Sequence, residues 1–146
     1  VLEISNADLN SPLGDVTLGE ALLAPTRIYV KSLLTLMQSF DIHALAHITG
    51  GGLTENLPRV LPDYTRANID LSSWQRPAVF NWLQEQGNIE HAEMLRTFNS
   101  GIGMVVCVNE AIHEQAIAIL EAEGEQVSVI GSISTSEEQA PSVSMS

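Results

Sequence analysis

Basic charge is scarce in this sequence. Six Lys and Arg stand against eighteen Asp and Glu, for a formal net charge of -12 over 146 residues. A protein that grips duplex DNA or an anionic lipid surface needs clustered cations to displace counterions. The sequence has no such cluster, which argues against nucleic acid and membrane as partners. Cysteine is scarcer still. Cys107 stands alone, so no intrachain disulfide can form, and a chain without a disulfide framework suits a reducing cytosol. Its apolar flanks, Met104 to Val106 and Val108, mark it as a buried structural thiol rather than a nucleophile. No apolar run approaches the roughly 18 residues of a membrane span, no signal peptide opens the chain, and no internal repeat is visible. A cytoplasmic protein is expected. The chain starts at Val1 rather than Met, as a processed or truncated sequence would.

What is present suffices for one domain: 45% of the residues are hydrophobic, enough for a single substantial core. Residues 1–13 show no clear period. Pro25 and a stripe of Val30, Leu33, Leu34 and Met37 predict a helix over 25–39. Ile42 to Thr49 reads as a buried strand, followed by Gly50, Gly51 and Gly52. Pro58 fits only a first helical turn, so a short helix is expected to start near Thr54 to Asn56. Ala67 to Leu71 predicts a strand, and Pro77 to Gly87 a helix. Asn88 is expected to cap a further helix running to about Phe98. Gly101 to Val108 predicts a strand, Asn109 a cap for a helix stopped by Gly124, and Gln126 to Ile133 a last strand. The Ser-rich residues 135–146 read as a disordered tail. Helices interleaved with strands give an α/β, or layered α+β, class: a mixed sheet with flanking helices.

The chemistry concentrates in two places. In the run 43–52, HALAHITGGG, glycines without Cβ let a ligand approach the backbone, and their N–H groups can form a concave set of donors for phosphate. A tight strand-to-helix turn explains the same glycines. The pattern is neither a P-loop nor a dinucleotide fingerprint. His43 and His47 lie four apart, on one face, without the Glu of a metalloprotease motif. His47, three residues before the glycines, could serve as a general base or phosphate partner, or as a hydrogen-bonded structural imidazole. The second place is 96–104, where Arg96 offers a cationic fork, Asn99 an amide, and Gly101 and Gly103 close backbone approach. Packing explains those glycines equally well. Arg27 and Lys31 are the other paired cations, on a solvated helix face by default.

These runs carry a resemblance. Leu23 to Lys31, the stretch HALAHITGGGLTENLPRVLP from His43 to Pro62, Phe80 to Leu83, and Glu93 to Met104 are similar, in the same order, to the second domain of the phosphoribosylformylglycinamidine cyclo-ligase (AIR synthetase) family. The likeness covers about residues 19–131. It implies an ATP- and magnesium-dependent ring closure in purine biosynthesis, with formylglycinamidine ribonucleotide as substrate, in a homodimer of two-domain subunits. It also implies that residues 1–18 lead in from a missing amino-terminal domain, that 19–134 form the second domain, and that the fragment alone is inactive. The family's D-G-V-G-T-K and G-G-E-T segments are missing. Carried over onto this sequence, His47 is the catalytic candidate, and Thr49, Gly50, Gly51, Gly52, Arg96, Asn99 and Gly101 bind substrate or phosphate. No metal ligand is carried over. A stand-alone anion-binding or interaction module of the same fold is the alternative, and thiamine-phosphate kinase and selenide water dikinase are related enzymes that the extended runs argue against. A severed domain is also expected to expose an apolar patch.

Overall fold

A computed structural model describes residues 1–146. The elements run α1 (Leu2–Ser5), β1 (Pro12–Leu13), β2 (Val16–Thr17), α2 (Leu18–Leu23), α3 (Val30–Ser39), β3 (Ala44–His47), α4 (Gly52–Asn56), a 3-10 turn at Pro58–Val60, β4 (Thr65–Ile69), α5 (Ala78–Gly87), α6 (His91–Thr97), β5 (Met104–Cys107), a 3-10 turn at Glu110–Ile112, α7 (His113–Ala122), β6 (Gly131–Thr135) and β7 (Ser142–Met145). The expected class holds, with strands shared among three sheets. β4 is central to a mixed sheet, antiparallel to β6 and parallel to β7, while β3 pairs antiparallel with β5 and β1 with β2.

Two buried clusters hold the layers together. Ala46, Ile48, Leu53, Leu57, Ala67 and Ile69 join β3, α4 and β4, and Leu36, Ala116 and Leu120 join α3 to α7. Ile48 and Leu53 are each only 2% exposed. They bracket the triple glycine, so removal of their apolar surface from water pins both ends of the loop.

The last strand, expected over 126–133, is found at Gly131–Thr135 as β6, and four further boundaries differ from the sequence reading, each for a physical reason. Residues 25–29 stay outside α3, because Arg27 pairs with Glu125 and its Nη2 donates to the Gly124 carbonyl oxygen at 2.7 Å. These long-range contacts override local helix preference. Of the expected stripe, Val30, Leu34 and Met37 face outward, 52–61% exposed, and Leu33 is half-buried, while the helix buries Ser32 and Leu36 instead. Asn88 does not cap α6. It takes the left-handed position that ends α5, φ 47°, donating to the carbonyls of Gln84 and Glu85, a conformation Asn tolerates well. α4 starts at Gly52, ahead of the expected site, and Pro58 instead occupies the first turn of the 3-10 segment after it.

The fourth difference is at the carboxyl end. Residues 142–145 form β7, in register with Arg66 to Ile69, and Val143 and Met145 pack against the main core. Serine content suggested disorder there, but the alternation of Ser142, Val143, Ser144 and Met145 is the period of a strand.

At the other end, α2 starts with a reciprocal cap. The Glu20 N–H donates to Thr17 Oγ1 at 3.2 Å, and the Thr17 N–H donates to Glu20 Oε2 at 2.8 Å. The bond from the Thr17 N–H, with a second from the Thr17 hydroxyl to the same oxygen at 2.9 Å, holds the Glu20 carboxyl below its ordinary 4.5. Thr17→Ala is expected to cost about 1 kcal/mol in urea unfolding at pH 7. Because the folded-state value is depressed, the Glu20 contribution is present above about pH 4.5 and fades as pH falls through the lower folded value. The gap between wild type and variant should narrow accordingly.

Candidate phosphate site

The chain reaches the glycine loop from β3, whose last residue, His47, is exposed and pairs with Met104. The Ile48 N–H then donates to the Gly103 carbonyl at 2.9 Å, extending the ladder by one bond. Thr49 and Gly50 follow, exposed, before the chain turns into α4.

The three glycines are glycines for three different reasons. At Gly52, φ 56°, an added Cβ would collide with the Leu95 carbonyl oxygen and lie 2.8 Å from that of Phe98. This glycine lets α4 and the end of α6 pack backbone to backbone. At Gly51, φ 98°, a Cβ would meet the Glu55 side chain at 2.8 Å, so the left-handed turn itself demands glycine. At Gly50 nothing lies within 4 Å of an added Cβ, and packing gives no reason for glycine there.

The amides divide in the same way. The Gly52 N–H donates to the Thr49 carbonyl at 3.0 Å. Its role as a phosphate donor is therefore corrected: the turn has already taken it. The N–H groups of Thr49, Gly50 and Gly51 have no partner within the chain. The cradle is thus narrower than the sequence suggests, two glycine amides with Thr49 beside them.

The surroundings are of mixed charge. Glu55 packs against Gly51 and pairs with Arg59 at 3.7 Å. Arg96 pairs with Glu93 at 2.9 Å, and that hydrogen bond raises the guanidinium further above its ordinary value, with a smaller contribution from Glu55. Both arginines are more than half exposed and could turn toward an anion. Contact between Gly52 and the carbonyls of Leu95 and Phe98 brings the two sequence clusters together.

The rest of the second cluster serves the fold. Asn99 Oδ1 accepts from the Gly101 N–H at 3.0 Å, closing a local turn. Gly101, φ 102°, leaves room for Pro77, and Gly103 for the Tyr29 hydroxyl. Tyr29 also meets the His47 ring edge-on, with centroids 6.1 Å apart, and burial is the main cause of its raised phenol pKa. Tyr29 and Asn56 are the neighbours that motif reading missed. An Asn inside a short helix is a signal that could have found Asn56, since that side chain favours bonding to nearby backbone. His43 lies before β3, at the opposite end from His47, about 13 Å away along an extended chain, so the two do not converge. Cys107 is half-buried rather than fully buried, and burial pushes its thiol up.

Residues 2–143 match the family described as AIR synthase related protein, C-terminal domain. The chain is 60% identical over 133 residues to a protein of Nitrosococcus oceani named phosphoribosylformylglycinamidine cyclo-ligase, an alignment that takes in 91% of this chain and 37% of that protein. The chain thus spans well under half the length of this curated relative.

Proposed function

The chain belongs to the AIR synthase related family as its C-terminal domain, and from that premise we propose that it forms one wall of the active site of a phosphoribosylformylglycinamidine cyclo-ligase. The observation that carries this reading is the pair of unpartnered amides at Gly50 and Gly51. They sit in a loop whose ends are anchored by buried Ile48 and Leu53. Donors fixed before a ligand arrives stabilise its charge without reorganisation.

The full-length enzyme acts on formylglycinamidine ribonucleotide, in the cytoplasm and as a homodimer. ATP, when bound, supplies the phosphoryl group that converts the substrate amide oxygen into a leaving group for attack by an amine. Gly50 and Gly51 hold a phosphate of one of the two ligands through main-chain N–H groups. Thr49 can add its hydroxyl, and Arg96 and Arg59 can offset the Glu55 carboxylate. His47, oriented by the edge of Tyr29, is the titratable group next along the chain and serves the proton transfers of ring closure. No group of three or more His, Cys, Asp or Glu side chains gathers in this chain, and no magnesium ligand is proposed among its residues. The identity with a protein named as the ligase favours this reading over a stand-alone anion-binding module.

The experiment is reconstitution. The 146-residue chain alone should show no ATP-dependent ring closure, and addition of the separately expressed amino-terminal domain should restore measurable turnover. Robust turnover by the chain alone would contradict a divided site.

A further inference from the structure

Asn56 is 6% exposed, yet its side chain is fully engaged. Its Nδ2 donates to the Gly52 carbonyl oxygen at 2.7 Å and to that of Gly50 at 3.2 Å, and touches that of Thr49 at 3.5 Å. Arg59 donates to Asn56 Oδ1 at 3.4 Å, which sets the amide with its nitrogen toward the loop and its oxygen toward the cation. All three bonded carbonyls belong to residues 49–52.

A planar trans peptide points its C=O and the following N–H in opposite directions, and the chain has no cis peptide bond. A Gly50 carbonyl drawn inward to Asn56 therefore turns the Gly51 N–H outward. The Thr49 carbonyl, held inward by the Gly52 N–H, does the same for the Gly50 N–H. Glycine peptides can flip at little steric cost, so the loop needs a fixed reference, and Asn56 is the buried side chain that touches it.

We infer that Asn56 is a positioning residue that aims the Gly50 and Gly51 amides at a phosphate while touching no ligand itself. This rests on the phosphate reading of the loop. Aspartate at this position would set carboxylate oxygens against the loop carbonyls in place of a donor, keeping size and shape while inverting the interaction.

The test is titration of inorganic phosphate into the 146-residue chain, followed at the backbone amides by NMR. In the wild-type chain the Gly50 and Gly51 resonances should shift saturably, with little change at Gly52. In Asn56→Asp the affinity should fall tenfold or more, with resonances outside residues 49–59 still at native positions. Equal affinity and equal shifts in Asn56→Asp would overturn the role of Asn56 and leave the phosphate reading intact. No saturable response in wild type would overturn both. Should the variant not fold, hydrogen exchange of the Asn56 side-chain amide in wild type decides. Strong protection is expected, and exchange as fast as that of a surface asparagine would overturn the inference.

Discussion

Gly50→Ala in the full-length enzyme lowers kcat/KM by about 10- to 100-fold, while its unfolding temperature stays the same or rises slightly. The new methyl group meets nothing within 4 Å, so the fold has no reason to object. Gly to Ala at an unstrained position also narrows the unfolded ensemble, which stabilises by about 0.4–1 kcal/mol. What the methyl occupies is the open space beside the free Gly50 and Gly51 amides, the space through which the proposed phosphate would approach. A displacement of about 1 Å is enough for the loss stated. Steady-state kinetics paired with thermal unfolding checks the expectation. Unchanged kinetics would mean that the loop is a turn and nothing more.

Two residues along, the same substitution should act in the opposite way. Gly52→Ala destabilises the domain by roughly 3 kcal/mol or more, a sum of overpacking and of left-handed strain. Its Cβ would collide with the Leu95 carbonyl and crowd that of Phe98, at a φ of 56°. The obstacles are main-chain atoms at the end of α6, which cannot swing aside as a flexible side chain could. Relief requires separating α4 from α6, and Leu53 on α4, Leu57 immediately after it and Met94 on α6 are all buried. Urea unfolding of the 146-residue chain measures the effect. A midpoint within experimental error of wild type would show that the backbone contact at Gly52 is not needed.

These two neighbours show what could and could not be read from sequence. GGG announces a break in regular structure, and it is one. Which glycine serves packing, which the turn and which is left open depends on the far side of each Cα. Leu95 lies 43 residues away from Gly52, and no local pattern reveals that approach. The strands β3 and β5, read from short apolar runs, and the Asn109 cap were legible because they depend on residues close along the chain. Asn109 Oδ1 does accept from the Ala111 N–H, at 2.9 Å, although the turn it starts is 3-10 before α7 begins. The delayed start of α3 was not legible, because Arg27 is held by Gly124 and Glu125 at the far end of the chain. For β7, abundant serine masked a two-residue period that has meaning only once β4 is available as a partner. Asn56 was hidden within a motif otherwise noted for its glycines.

A crystal structure of the full-length enzyme with a non-hydrolysable ATP analogue and the ribonucleotide substrate tests the phosphate-binding loop most directly. A phosphate oxygen of one ligand should lie about 2.7–3.2 Å from the backbone nitrogen of Gly50 or Gly51, with the Asn56 amide still bonded to the carbonyls behind them. Both ligands seated with every phosphate remote from this loop, and those two amides facing water, would contradict it.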